Sequence, residues 1–62
     1  MIEKHRKLLA RLNNLGRPHG IDCTYTDGRW QFWKDAAIIT STPVTKQAER
    51  VLKDIIHHTT RR

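Results

Sequence analysis

Asp27-Gly28, set between two stretches of alternating apolar and polar residues, constrains this chain more than any other feature. Both central positions of a type I′ turn need positive φ, and Asp-Gly tolerates it with little steric cost. On one side Ile21, Cys23 and Tyr25 alternate with Asp22, Thr24 and Thr26. On the other, Trp30 and Phe32 alternate with Arg29, Gln31 and Trp33. A period of two is the signature of a half-buried strand, so Ile21 to Thr26 and Arg29 to Lys34 are expected to pair as a hairpin.

Helical periodicity flanks the hairpin. Ile2, Leu8, Leu9, Leu12 and Leu15 fall on one broad apolar face, which predicts a helix from about Ile2 to Leu15. Asn13, Asn14 and Gly16 supply its exit, with Gly16 expected as a left-handed cap. Gly16 to Gly20 reads as a loop by composition. After Lys34, Asp35-Ala36 is a weaker second turn, and Ala37 to Thr40 a short third strand. Thr42-Pro43 has the chemistry of a helix start. Val44, Ala48, Val51, Leu52, Ile55 and Ile56 then make an apolar stripe from Pro43 to about His58, with 59–62 expected as a frayed tail.

The expected fold is α+β, in the order α-β-β-β-α. Two helices pack on one face of a three-stranded antiparallel sheet, as one domain over residues 1–62. The expected core is Leu8, Leu12, Trp30, Phe32, Val51 and Ile55. A chain of 62 residues buries only about 60 % of its unfolded surface, too little for both a large core and a deep substrate pocket.

Charge points to the class of partner. Twelve Lys and Arg stand against six Asp and Glu, a formal net charge of +6. Lys4, Lys7 and Arg11 share one helix face, and Lys46, Arg50 and Lys53 repeat the pattern near the other end. Such stripes suit an anionic partner, and phosphate is the commonest. With Arg17 and Arg29 near the hairpin, the pattern predicts a small nucleic-acid-binding protein, without saying which nucleic acid. Ordinary solvated helix faces would carry the same stripes.

Other classes are disfavoured. One cysteine, Cys23, allows no internal disulfide and fits a reducing compartment, so the cytoplasm is expected. No apolar run is long enough to span a bilayer, and none follows the basic start to make a signal peptide. One Cys and four His lack metal-ligand spacing, so no metal or other cofactor is expected. Cys23 has no activating neighbour and lies on the buried side of its strand. Gly16, Gly20 and Gly28 do not make a phosphate-binding loop spacing. His5 reads as boundary packing, and His57 and His58 as cations favoured by a helix C-terminus. Trp33 is the one large aromatic expected on the open face of the sheet. There it would stack on a base or on a partner's side chain, or simply cover the sheet.

The run Gly28-Arg29-Trp30-Gln31-Phe32-Trp33-Lys34-Asp35, leading into Ser41-Thr42-Pro43 and a closing helix, resembles a family of small proteins from actinobacteria and their phages. That family is related to the HicA toxins, which cleave messenger RNA and have a double-stranded-RNA-binding-like fold. The resemblance spans Asp27 to Ile56. It implies a toxin–antitoxin or phage setting and a catalytic histidine on the hairpin strand, where this chain carries Arg29. Arginine stays protonated at neutral pH, so it can hold a phosphate but cannot shuttle a proton. The implied function is therefore RNA binding without cleavage. Two alternatives follow. One is a HicA-like ribonuclease in which His19 replaces the missing group. The other is a protein-interaction module, such as a phage-encoded inhibitor of a host enzyme, using Trp33, Gln31 and Thr24.

Overall fold

The computed structural model describes residues 2–60. The elements run α1 (Glu3–Gly16), a single 3-10 turn (Arg17–His19), β1 (Ile21–Thr26), β2 (Arg29–Lys34), β3 (Ala37–Thr42) and α2 (Thr45–Thr60). The sheet is an antiparallel meander in the order β1-β2-β3. Both helices cover one face of it, as the two hydrophobic periods require.

The hairpin forms in the expected register, with Cys23 opposite Phe32 and Tyr25 opposite Trp30. Asp27 and Gly28 have φ of 53° and 75°, the two positive values of a type I′ turn. Asp35 and Ala36 repeat that geometry at 52° and 65°, so the weaker turn forms without a glycine. Between β2 and β3 the register slips by one residue at Phe32/Trp33. Phe32 faces Thr40 but Trp33 faces Ile38, which leaves Ile39 as the extra residue of a β-bulge.

Leu12, Ile21, Cys23, Trp30, Phe32, Ala48 and Leu52 form the core. Of the six residues expected there, Leu12, Trp30 and Phe32 are fully buried. Leu8, Val51 and Ile55 pack against the cluster but remain partly exposed, because each helix points its centre line at Leu12 or at Ala48 and Leu52. Ile2, Leu15 and Val44 lie at element ends and are exposed.

Several boundaries differ from expectation for local reasons. Helix α1 runs one residue further, to Gly16, which is right-handed (φ −84°) and is not a left-handed cap. Its glycine answers crowding: a Cβ there would lie 2.6 Å from the Ile21 carbonyl oxygen. The left-handed residue is Gly20, which ends the 3-10 turn where a plain loop was expected. Strand β3 continues to Thr42, because Thr40, Ser41 and Thr42 pair with Phe32, Gln31 and Trp30. Helix α2 therefore starts at Thr45, two residues after Pro43, and the Thr42 hydroxyl accepts from the Val44 amide (3.2 Å). At the other end α2 runs through Thr60, since no Gly or Pro stops it. The expected tail at 59–62 is thus helical at Thr59 and Thr60, while 61–62 fall outside the described residues.

Candidate nucleic-acid interface

Contacts between the helices show how their cations are arranged. His5 Nε2 lies 3.4 Å from Thr45 Oγ1, and Arg11 Nε lies 3.1 Å from Glu49 Oε1. The partners advance together along both helices, so α1 and α2 run side by side in the same direction. On α1, Lys4, Lys7 and Arg11 are spaced i, i+3, i+7 and share one flank. On α2, Lys46, Glu49 and Lys53 have the same spacing. The Arg11–Glu49 pair turns these two flanks toward each other. Arg50 stands beside them on the outer surface of α2.

Glu49 is the centre of this surface. Its carboxylate accepts from Arg11 Nε and Nη2 (3.1 and 3.3 Å) and from Lys53 Nζ (3.0 Å). The Lys53 hydrogen bond holds the Glu49 carboxyl below the usual carboxylate range; desolvation opposes it, and the charges of Arg11 and Lys53 add to the lowering. Six cations, Lys4, Lys7, Arg11, Lys46, Arg50 and Lys53, thus lie on or beside these two flanks, and all six are exposed. Two of them, Arg11 and Lys53, are engaged within the molecule. The Glu49-to-Lys53 spacing of four is visible in the sequence, but the reach of Arg11 across to α2 is not.

The other candidate residues lie elsewhere. Arg17 is exposed on the 3-10 turn beyond the end of α1. Arg29 and Trp33 occupy the opposite face of the sheet, because strand alternation sets them against the buried Trp30 and Phe32. Arg29 Nη2 donates to Ser41 Oγ (3.2 Å). Trp33 Nε1 donates to Thr24 Oγ1 (2.8 Å), and that hydroxyl donates to Gln31 Oε1 (3.2 Å). The indole is therefore drawn across the sheet toward β1. The expected set divides into a helical group and an open-face group, which one rigid duplex cannot touch together.

The histidines are placed by packing. His5 stacks against Tyr25 and Trp30, with ring centroids 4.8 and 5.6 Å apart. Thr45 Oγ1 accepts from Trp30 Nε1 (3.1 Å) and so ties the start of α2 to this cluster. His19 is half-buried, and among the described residues no hydrogen bond or ion pair holds it. Cys23 is buried, and burial pushes its thiol up to about 11, far from a reactive thiolate.

Among the described residues no group of three or more His, Cys, Asp or Glu is arranged to hold a metal ion. No helix among them is long and apolar enough to cross a membrane. Comparison of the chain with protein-family models, with curated proteins and with solved structures gave no match.

Proposed function

We propose that this protein binds nucleic acid, duplex RNA in preference to DNA, through the surface formed by α1 and α2, and does not cleave it. The observation that carries this reading is the convergence of the two cationic flanks about Glu49. Cations on separate faces would be ordinary solvation. Cations gathered on two parallel, adjacent helices make a ridge that can follow a phosphate backbone. Duplex RNA suits such a ridge because it is read mainly through shape, backbone and 2′-OH contacts, which need few specialised side chains. The α-β-β-β-α order agrees with the double-stranded-RNA-binding-like fold that the HicA resemblance implies.

The test is binding of a labelled RNA duplex of about 16 base pairs as salt is raised. Four to six phosphate contacts give a log–log slope of roughly −4 to −5. Reversing charge in Lys7→Glu and Lys53→Glu should weaken all duplex sequences about equally, because phosphate contacts carry no base information. A flat salt profile, or no binding at low ionic strength, overturns the proposal.

A further inference from the structure

The sheet has two edges, and they are treated differently. At β1 the Asn13 side chain occupies the edge: Nδ2 donates to the Cys23 carbonyl (3.1 Å) and Oδ1 accepts from the Cys23 amide (2.8 Å). At β3 nothing comparable is present among the described residues. Among the described residues that strand touches only β2 and α2, and no side chain bonds to its outer backbone. An uncovered row of strand amides and carbonyls is a template for another strand.

The composition of β3 adds to this. Ala37-Ile38-Ile39-Thr40-Ser41-Thr42 contains no charge and no proline, the two commonest devices that blunt an edge. Ile38 and Ile39 are 50 % and 45 % exposed, two adjacent β-branched residues left in water. Beside the strand, on the helix side, runs a shallow open groove of about 430 Å³ lined by Thr40, Val51, Asp54, Ile55, His58 and Thr59. The strand is uncharged, and the groove beside it is bordered by the aliphatic Val51 and Ile55 together with Asp54 and His58.

We infer that the β3 edge pairs antiparallel with the β3 edge of a second copy of this chain, joining two three-stranded sheets into one. A neutral strand can face itself across a two-fold axis without setting like charges opposite each other. For two chains that each carry +6, an uncharged strand is an approach that avoids like-charge contact. Helix α1 lies over β1 at the far side of the sheet, and the cationic flank of α2 faces α1, away from β3. Pairing at β3 therefore keeps the helix cations of the two copies apart and leaves both helical surfaces uncovered, with Arg29, bonded to Ser41 Oγ, a cation on the open face beside the seam. The bulge at Ile39 shortens the regular run, so the association is weak and depends on concentration. This inference is independent of the nucleic-acid reading.

Sedimentation velocity across a dilution series from high-micromolar to nanomolar protein tests it. The expected result is a reversible shift from a 7.3 kDa species to one of twice that mass as concentration rises. Ile39→Lys places a charge on an already exposed position and should remain monomeric throughout, with an unchanged far-ultraviolet circular dichroism spectrum. Ile38→Cys should be joined into a covalent dimer by a short bismaleimide, with the buried Cys23 silent in the parent protein. A wild-type chain that stays monomeric at the highest concentration overturns the inference, as does a dimer that persists in Ile39→Lys. Pairing of β3 with a foreign extended peptide, without self-association, also overturns it.

Discussion

The Asn13 side-chain amide pairs with the Cys23 backbone as a neighbouring strand would, donating to its carbonyl at 3.1 Å and accepting from its amide at 2.8 Å. Asn13 Nδ2 also donates to the Leu9 carbonyl (3.2 Å). One residue thus ends the sheet at β1, fastens α1 to it and satisfies edge groups that would otherwise attract another chain. Asn13→Ala removes all three bonds and leaves part-buried backbone groups unpaired. The expected cost is about 1–3 kcal/mol, read as a lower urea midpoint at constant slope. An unchanged midpoint would mean that water replaces the amide fully.

Ala36 sits at φ 65°, a region in which a Cβ is crowded against the carbonyl. Its partner Asp35 tolerates the same region better, because a short polar side chain bonds locally. Ala36→Gly should stabilise the protein by about 1 kcal/mol, the strain released less the extra flexibility of the unfolded chain. Thermal unfolding reads this as a higher midpoint. A lower midpoint would show that the turn tolerates the alanine and that chain flexibility dominates.

The hairpin and both helices are legible because their signals are local. Alternation about Asp27-Gly28, and apolar residues at helical spacing, report which face each segment buries whatever lies across from it. What escapes is decided by partners distant in sequence. Gly16 reads as a cap and is instead a close approach to Ile21, five residues on and on another element. Asn13 reads as a helix-end residue because its partner, Cys23, becomes adjacent only after the chain reverses. Glu49 reads as one more carboxylate on a wet face until Arg11 arrives from α1. The bulge at Ile39 has no local signature, since it settles a register mismatch between two strands. The cationic stripes were visible in the sequence, as was the placement of Arg29 and Trp33 on the open face by strand alternation, but not that the two stripes would lie side by side.

Glu49 gives two measurable consequences. Its folded carboxyl is held low, chiefly by the Lys53 hydrogen bond and then by the Arg11 charge. A depressed acid pKa contributes stability above the unfolded value, and that stability is lost as pH falls through the folded value. Acid unfolding should therefore steepen below the usual carboxylate range, and Glu49→Gln should flatten that limb. The same substitution releases Arg11 and Lys53 and removes the carboxylate that bonds both of them. Duplex binding should then tighten about threefold at low salt, on the order of one added phosphate contact. Weaker binding by Glu49→Gln would mean that the carboxylate holds the two cations in their binding geometry.

Cleavage of RNA requires a group near the phosphate that takes and gives a proton around neutral pH. Arg29 cannot do so, and its guanidinium is engaged with Ser41 on the sheet face turned away from the cationic ridge. His5 is wedged between Tyr25, Trp30 and Thr45. His57 and His58 close the last turns of α2, where the helix dipole favours a cation. His19 remains, half-buried on its 3-10 turn, with no carboxylate or hydroxyl among the described residues to orient it. Labelled RNA incubated with the purified protein should therefore stay intact for hours, and His19→Ala should leave that outcome unchanged. Cleavage that disappears in His19→Ala would transfer the catalytic role to the loop histidine and make the chain a ribonuclease.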